Sequence, residues 1–124
     1  IYAFGGWNAS WSDRRLKQNI TPMSDTLGLI NKLNPVTYNW KREAKLDDTM
    51  HYGVIAQEIQ EVFPTLVYED QDKHLNVRRD EMQFILIKAV KELNVKNDLL
   101  KKETDELKAI NGKLIKRIEN LEKK

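Results

Sequence analysis

The chain has 124 residues and no cysteine, is 40% hydrophobic and 32% charged, and carries 21 Lys and Arg against 19 Asp and Glu. That is one domain's worth of length, and so polar a chain cannot bury a sizeable core unless copies of it share one. Disulfide scaffolds, thiol chemistry and cysteine zinc sites are excluded, and a net charge of +2 is too balanced for a binder held to nucleic acid or membrane by charge.

Residues 1–11 carry no charge and hold Tyr2, Phe4, Trp7 and Trp11 beside Gly5 and Gly6. They show neither a Met start nor a signal-peptide pattern, and read as the end of some other unit in a longer chain. Next comes Ser12-Asp13-Arg14-Arg15-Leu16-Lys17. A Ser with a nearby Lys can act as nucleophile and base, if burial or a neighbouring cation helps the Lys lose its proton. By itself the spacing is a very weak signal and is better read as a basic solvated linker.

Thr21-Pro22 reads as a helix start, with Ile20, Met23, Leu27, Ile30 and Leu33 at helical spacing and Asn34-Pro35 as the stop. Residues 36–40 alternate as a strand with one buried face, and 41–49 form a charged loop. Residues 52–55 form a short strand leading into a helix over 57–63, ended by Pro64. Residues 66–68 and 75–77 flank a polar hairpin turn. Only His51 and His74 could serve as imidazole ligands, and Asp70-Gln71-Asp72 lacks the Gly and closing Glu of a calcium loop. No phosphate loop and no G-x-S-x-G occurs, so no metal or cofactor is expected. No apolar run approaches the roughly 18–20 residues of a membrane span.

After Phe84 there is neither an aromatic residue nor a proline. Residues 82–124 hold 11 Lys and Arg against 7 Asp and Glu, net +4, while residues 1–81 are net −2. Leu86, Leu93, Leu100, Leu107, Leu114 and Leu121 recur every seven residues, with Val90, Asn97, Thr104, Asn111 and Ile118 between them. This is a heptad pattern with Leu at every d position and mixed a positions, on a helix on the order of 60 Å long. A helix this polar needs partner helices along its Leu seam. Asn97, Thr104 and Asn111 favour a parallel, in-register bundle. A buried Asn at a favours dimers, whereas Ile87 and Ile115 at e and Ala89 and Ile110 at g widen the stripe towards more strands. The predicted class is α+β, a small mixed helix and strand head followed by a long C-terminal coiled-coil helix.

From Ser12 to about Leu93 the chain resembles the C-terminal intramolecular chaperones of endosialidases and other phage tail spikes and fibres. The resemblance is carried in order by Ser12–Ile20, by Leu33-Asn34-Pro35-Val36-Thr37-Tyr38-Asn39-Trp40, by Tyr52–Pro64 with its Gly-Val-Ile-Ala-Gln-Glu block, and by Ala89–Leu93. It implies a homotrimer with a parallel trimeric coiled coil, whose partners are its own copies and the upstream fibre of the same chain. Nucleic acid and membrane are not expected partners. It implies self-cleavage at the Trp11–Ser12 bond, with Ser12 as nucleophile, Lys17 as general base, and Asp13 and Arg15 in support. Three zones follow: 1–11 as the end of the fibre, 12–81 as the chaperone and autoprotease head, and 82–124 as the trimerisation stalk. The resemblance places assembly in the host cytoplasm and the mature upstream part on the virion tail or appendage, with the chaperone shed.

Five residues would set Ser12 and Lys17 about 140° apart on an α-helix and on opposite faces of a strand. A bent loop, or a Lys from a neighbouring copy, is therefore required. Three other readings compete. One is a trimerisation module without catalysis. Another is a membrane-bound transcription factor of the myelin regulatory type, in which a span follows the coil. The last is a DNA-binding zipper, which lacks its basic region here because Asp80 and Glu81 precede Leu86.

Overall fold

In the computed structural model, which describes residues 11–123, short elements precede one very long helix. They are α1 (Leu27–Ile30), β1 (Val36–Tyr38), β2 (His51–Gly53), α2 (Ala56–Val62), β3 (Val67–Glu69), β4 (Leu75–Val77) and α3 (Arg79–Glu122). Single 3-10 turns lie at Arg14–Leu16, Arg42–Ala44 and Pro64–Leu66. The α+β class expected from the sequence is the one observed.

The strands form two separate antiparallel pairs. In the first, Val36 faces Gly53, Thr37 faces Tyr52 and Tyr38 faces His51. In the second, Val67 faces Val77, Tyr68 faces Asn76 and Glu69 faces Leu75. The polar segment between β3 and β4 closes because the Asp70 carboxylate accepts the backbone N–H groups of Asp72 and His74, while Lys73 takes a left-handed conformation (φ 66°). Pro64 stops α2 as expected and opens the 3-10 turn that leads into β3.

The core is small. Ile59 of α2, only 1% exposed, meets Leu66 and Ile85, and Ile30, Leu33, Val54, Phe63, Val67, Val77 and Met82 pack around them. The first turns of α3 therefore complete the head.

β1 stops two residues short of the strand expected over 36–40, and one helix is far shorter than its pattern suggests. The expected helix over 22–33 shrinks to the four residues of α1. Residues 20–25 are exposed and have no apolar surface to wind against. The start is set instead at Thr26, where the Glu92 carboxylate of α3 accepts the backbone N–H groups of Thr26 and Leu27. The buried Thr26 hydroxyl donates to the Ile85 carbonyl at 3.0 Å. A carboxylate from a distant helix thus does the capping that Thr21 was expected to do.

α3 runs 44 residues, about 66 Å at 1.5 Å per residue. One face, with Ile85 and Ala89, is buried by the head. Ala89 is thereby occupied within its own chain and does not widen the Leu seam, as its g position suggested. The apolar seam residues lie between 47% and 66% exposed on the single chain: Leu86, Val90, Leu93, Leu100, Leu107, Leu114, Ile118 and Leu121. From Leu93 to Lys123 every residue of the helix is exposed. Among the described residues no helix is long and apolar enough to cross a membrane.

Candidate active site

The segment from Ser12 to Lys17 folds through one turn. Asp13 is extended (φ −67°, ψ 131°), and its Oδ1 accepts the backbone N–H of Arg15 at 2.8 Å. Leu16 N–H donates to the Asp13 carbonyl and Lys17 N–H to the Arg14 carbonyl, which closes a single 3-10 turn. Lys17 then leaves in an extended conformation (φ −116°, ψ 150°). Neither a helix nor a strand could join side chains five apart, but this turn between extended residues does. Lys17 Nζ donates to Ser12 Oγ at 2.7 Å. The pair closes within one chain.

Asp13 and Arg15 lock the turn from outside. Arg15 Nε lies 3.1 and 3.2 Å from the two Asp13 oxygens, and one terminal guanidinium nitrogen lies 2.8 Å from Oδ2. The guanidinium, with the Arg15 amide, holds the Asp13 carboxyl below its ordinary value, and the carboxylate raises Arg15 in turn. All residues from Trp11 to Asp25 are exposed, Leu16, Ile20 and Met23 among them. Trp11, on the other side of the expected scissile bond, is 55% exposed. The expected fibre end in residues 1–10 lies outside the described residues.

Two further polar clusters lie on the head. Asp70, Asp72 and His74 bring ligand atoms within 4.8 Å of one another, all exposed. The Asp pair is legible in the sequence only as part of a turn, and His74 joins it through the fold. Asp70 is occupied by that turn, since it also accepts Asn76 Nδ2 at 3.1 Å. These hydrogen bonds, the Asn76 one first, hold its carboxyl below the ordinary value against a small opposing effect of burial. In the loop before β2, Asp47 Oδ1 accepts the Thr49 hydroxyl at 2.6 Å and lies 2.8 Å from His51 Nε2. Thr49 first, then His51, lowers the Asp47 carboxyl to about 2.

The seam residues line one exposed stripe of α3, with Asn97, Thr104 and Asn111 in it. Thr104 turns its hydroxyl back onto the Leu100 carbonyl at 2.8 Å, so its polar atom is satisfied within its own helix. Glu92 stands in the Ala89–Leu93 block that carries the resemblance, but its capping role is not legible there. Its neighbours, Lys91 and Leu93, give no sign that its carboxylate caps a helix 65 residues earlier.

Residues 12–68 match the family described as chaperone of endosialidase. The Long tail fiber protein Gp37 of Enterobacteria phage K3 is 35% identical over 91 residues, and so is that of Enterobacteria phage T2. The aligned part is 68% of this chain and 7% of each relative, so the chain spans only a small fraction of the curated relatives it matches.

Proposed function

Residues 12–68 belong to the chaperone-of-endosialidase family, and from that premise we propose an intramolecular chaperone that trimerises and registers a phage tail fibre or spike, then releases itself by cutting the Trp11–Ser12 bond. The observation that carries the release step is the 2.7 Å contact between Lys17 Nζ and Ser12 Oγ beside that bond. The relatives, both long tail fiber proteins, support the fibre as the cargo.

The chemistry balances with water as the only co-reactant. Neutral Lys17 accepts the Ser12 hydroxyl proton as Oγ attacks the Trp11 carbonyl carbon through a five-membered ring, a short intramolecular approach. The C–N bond then breaks, and Lys17 returns the proton to the departing Ser12 amine. The Trp11 acyl group is left as an ester on Oγ. Water, deprotonated by Lys17, adds to the ester. The products are the Trp11 carboxylate and the free Ser12 hydroxyl and amine. Copies packed over the exposed arm supply the burial that a Lys base needs, which ties cleavage to assembly.

In this reading residues 1–11 end the fibre, 12–81 form the head and 82–124 wind as a parallel trimeric coiled coil. The exposed Leu86–Leu121 stripe supports the last assignment. Stalk winding raises the effective concentration of the upstream chains, and release leaves their fold kinetically trapped. Assembly takes place in the host cytoplasm, and the matured fibre rides on the virion tail.

A second reading is a passive trimerisation module. Among the described residues no backbone N–H is bonded to the Trp11 carbonyl oxygen, where an oxyanion would need a donor. A version extended upstream separates the two readings, run on a denaturing gel beside Ser12→Ala and Lys17→Ala. Two fragments in the parent and one band in each variant are expected, with light scattering at about three chain masses. One band in all three would leave only the passive module.

A further inference from the structure

Ser12 and Lys17 lie on an arm that its own head does not support. Every residue from Trp11 to Asp25 is exposed, and the nearest tie to α3 is the Lys88–Asp25 ion pair, long at 4.0 Å. Within the single chain, what holds Lys17 against Ser12 therefore lies in the arm itself. The two backbone bonds of the 3-10 turn are shared by any sequence that forms one. The specific element is Asp13, whose carboxylate reaches forward two residues to the Arg15 amide and fixes where the turn begins.

We propose that Asp13 is a positioning residue for cleavage at Trp11–Ser12, closing the turn that sets Lys17 Nζ on Ser12 Oγ; the proposal rests on the self-cleavage reading above. Asp13 does not act on the proton itself. Its carboxylate's hydrogen bonds run to Arg15, and neither Ser12 nor Lys17 is among its partners. Its two oxygens have separable tasks. Oδ1 caps the turn through the Arg15 amide, a task an amide oxygen can also perform. Both oxygens together grip the guanidinium, which keeps the carboxylate plane fixed and which only a carboxylate can do in full. Arg15 is the outer brace: removing it leaves the cap but frees the carboxylate to rotate.

This gives an ordered series. In the upstream-extended protein, Asp13→Ala should cut about 10- to 100-fold more slowly, the cost expected of a misplaced reacting group. Asp13→Asn and Arg15→Ala should fall between it and the parent. Assembled mass should be unchanged, because the arm adds nothing to the core. The pH profile of the residual cleavage should keep its shape, because Lys17 still carries the proton. Cleavage of Asp13→Ala at the parental rate would overturn the role. A changed pH profile would make Asp13 an acid–base group, and loss of assembled mass would make it an assembly residue; either overturns positioning. If the parent is not cut, or Ser12→Ala is, the self-cleavage reading fails and the role goes with it. Failure of the series in a cutting parent condemns the positioning role alone.

Discussion

Gly53 shows how much one missing methyl can decide. Its backbone is not in the left-handed region, so glycine is required here for space. A Cβ at this position would lie 2.9 Å from Tyr38 Cε1. The Tyr38 ring is held edge-on by Trp40 at 5.0 Å and stacked on His51 at 5.6 Å, so it cannot yield without giving up both contacts. Gly53→Ala should destabilise the head by about 1–3 kcal/mol in denaturant unfolding and weaken the near-ultraviolet dichroism of the aromatic group. An unchanged spectrum with an unchanged midpoint would contradict the packing. Asp47 is a different case, set by charge. Its carboxyl lies at about 2 against an ordinary 3.8, so its contribution is fully present above about pH 4 and lost as the pH falls through about 2. Asp47→Asn should make the fall in melting temperature between pH 4 and pH 2 shallower. An identical slope in both proteins would show that the Thr49 and His51 contacts do not operate in solution.

At the level of elements, the cap that Glu92 of α3 places on α1 is the joint on which the head depends. Glu92→Ala leaves the Thr26 and Leu27 N–H groups without their acceptor beside a buried Thr26, at about 1–3 kcal/mol in thermal or denaturant unfolding. Glu92→Gln keeps an oxygen in place and should cost less; equal losses would assign the effect to packing. The same joint explains what could be read from the sequence and what could not. α2, the hairpin around Asp70–Lys73 and the long helix each rest on signals within a few residues: Pro64 as a stop, turn formers between apolar runs, Leu every seven. The start of α1 rests on Glu92, far along the chain, so the local signal at Thr21-Pro22 pointed to the wrong turn. Ala89 misled for the same reason, because heptad position says nothing of a head folded against one flank. At the site, spacing alone required either a bend between Ser12 and Lys17 or a Lys from a neighbouring copy, and the turn supplies the bend. Asp13 and Arg15 were named in support through the resemblance, but the way they act, a carboxylate on the Arg15 amide and guanidinium, is visible only once the turn is folded.

At the level of the whole molecule, the folded part and the rod are separable in energy. Residues 93–123 are exposed throughout and add nothing to the Ile59–Leu66–Ile85 core. If the chain trimerises along this stripe as proposed, Leu107→Asp should abolish assembly in light scattering while leaving the head's aromatic dichroism intact. Retention of the assembled mass would mean that the seam is not the interface. The two parts are nonetheless not separable in orientation. Ile85 and Ala89 anchor one side of α3 in the head, while Leu86, Val90 and Leu93 open the seam on another side of the same turns, with no glycine, proline or loop between the two functions. A helix advances about 100° per residue, so the rotational phase of the head about the rod is written into the spacing of these few positions. Bundled in parallel along that stripe, the heads would keep a common azimuth with no swivel beneath them. Seven residues inserted beyond Leu93 would nearly preserve that azimuth, whereas two would turn every head more than half-way round.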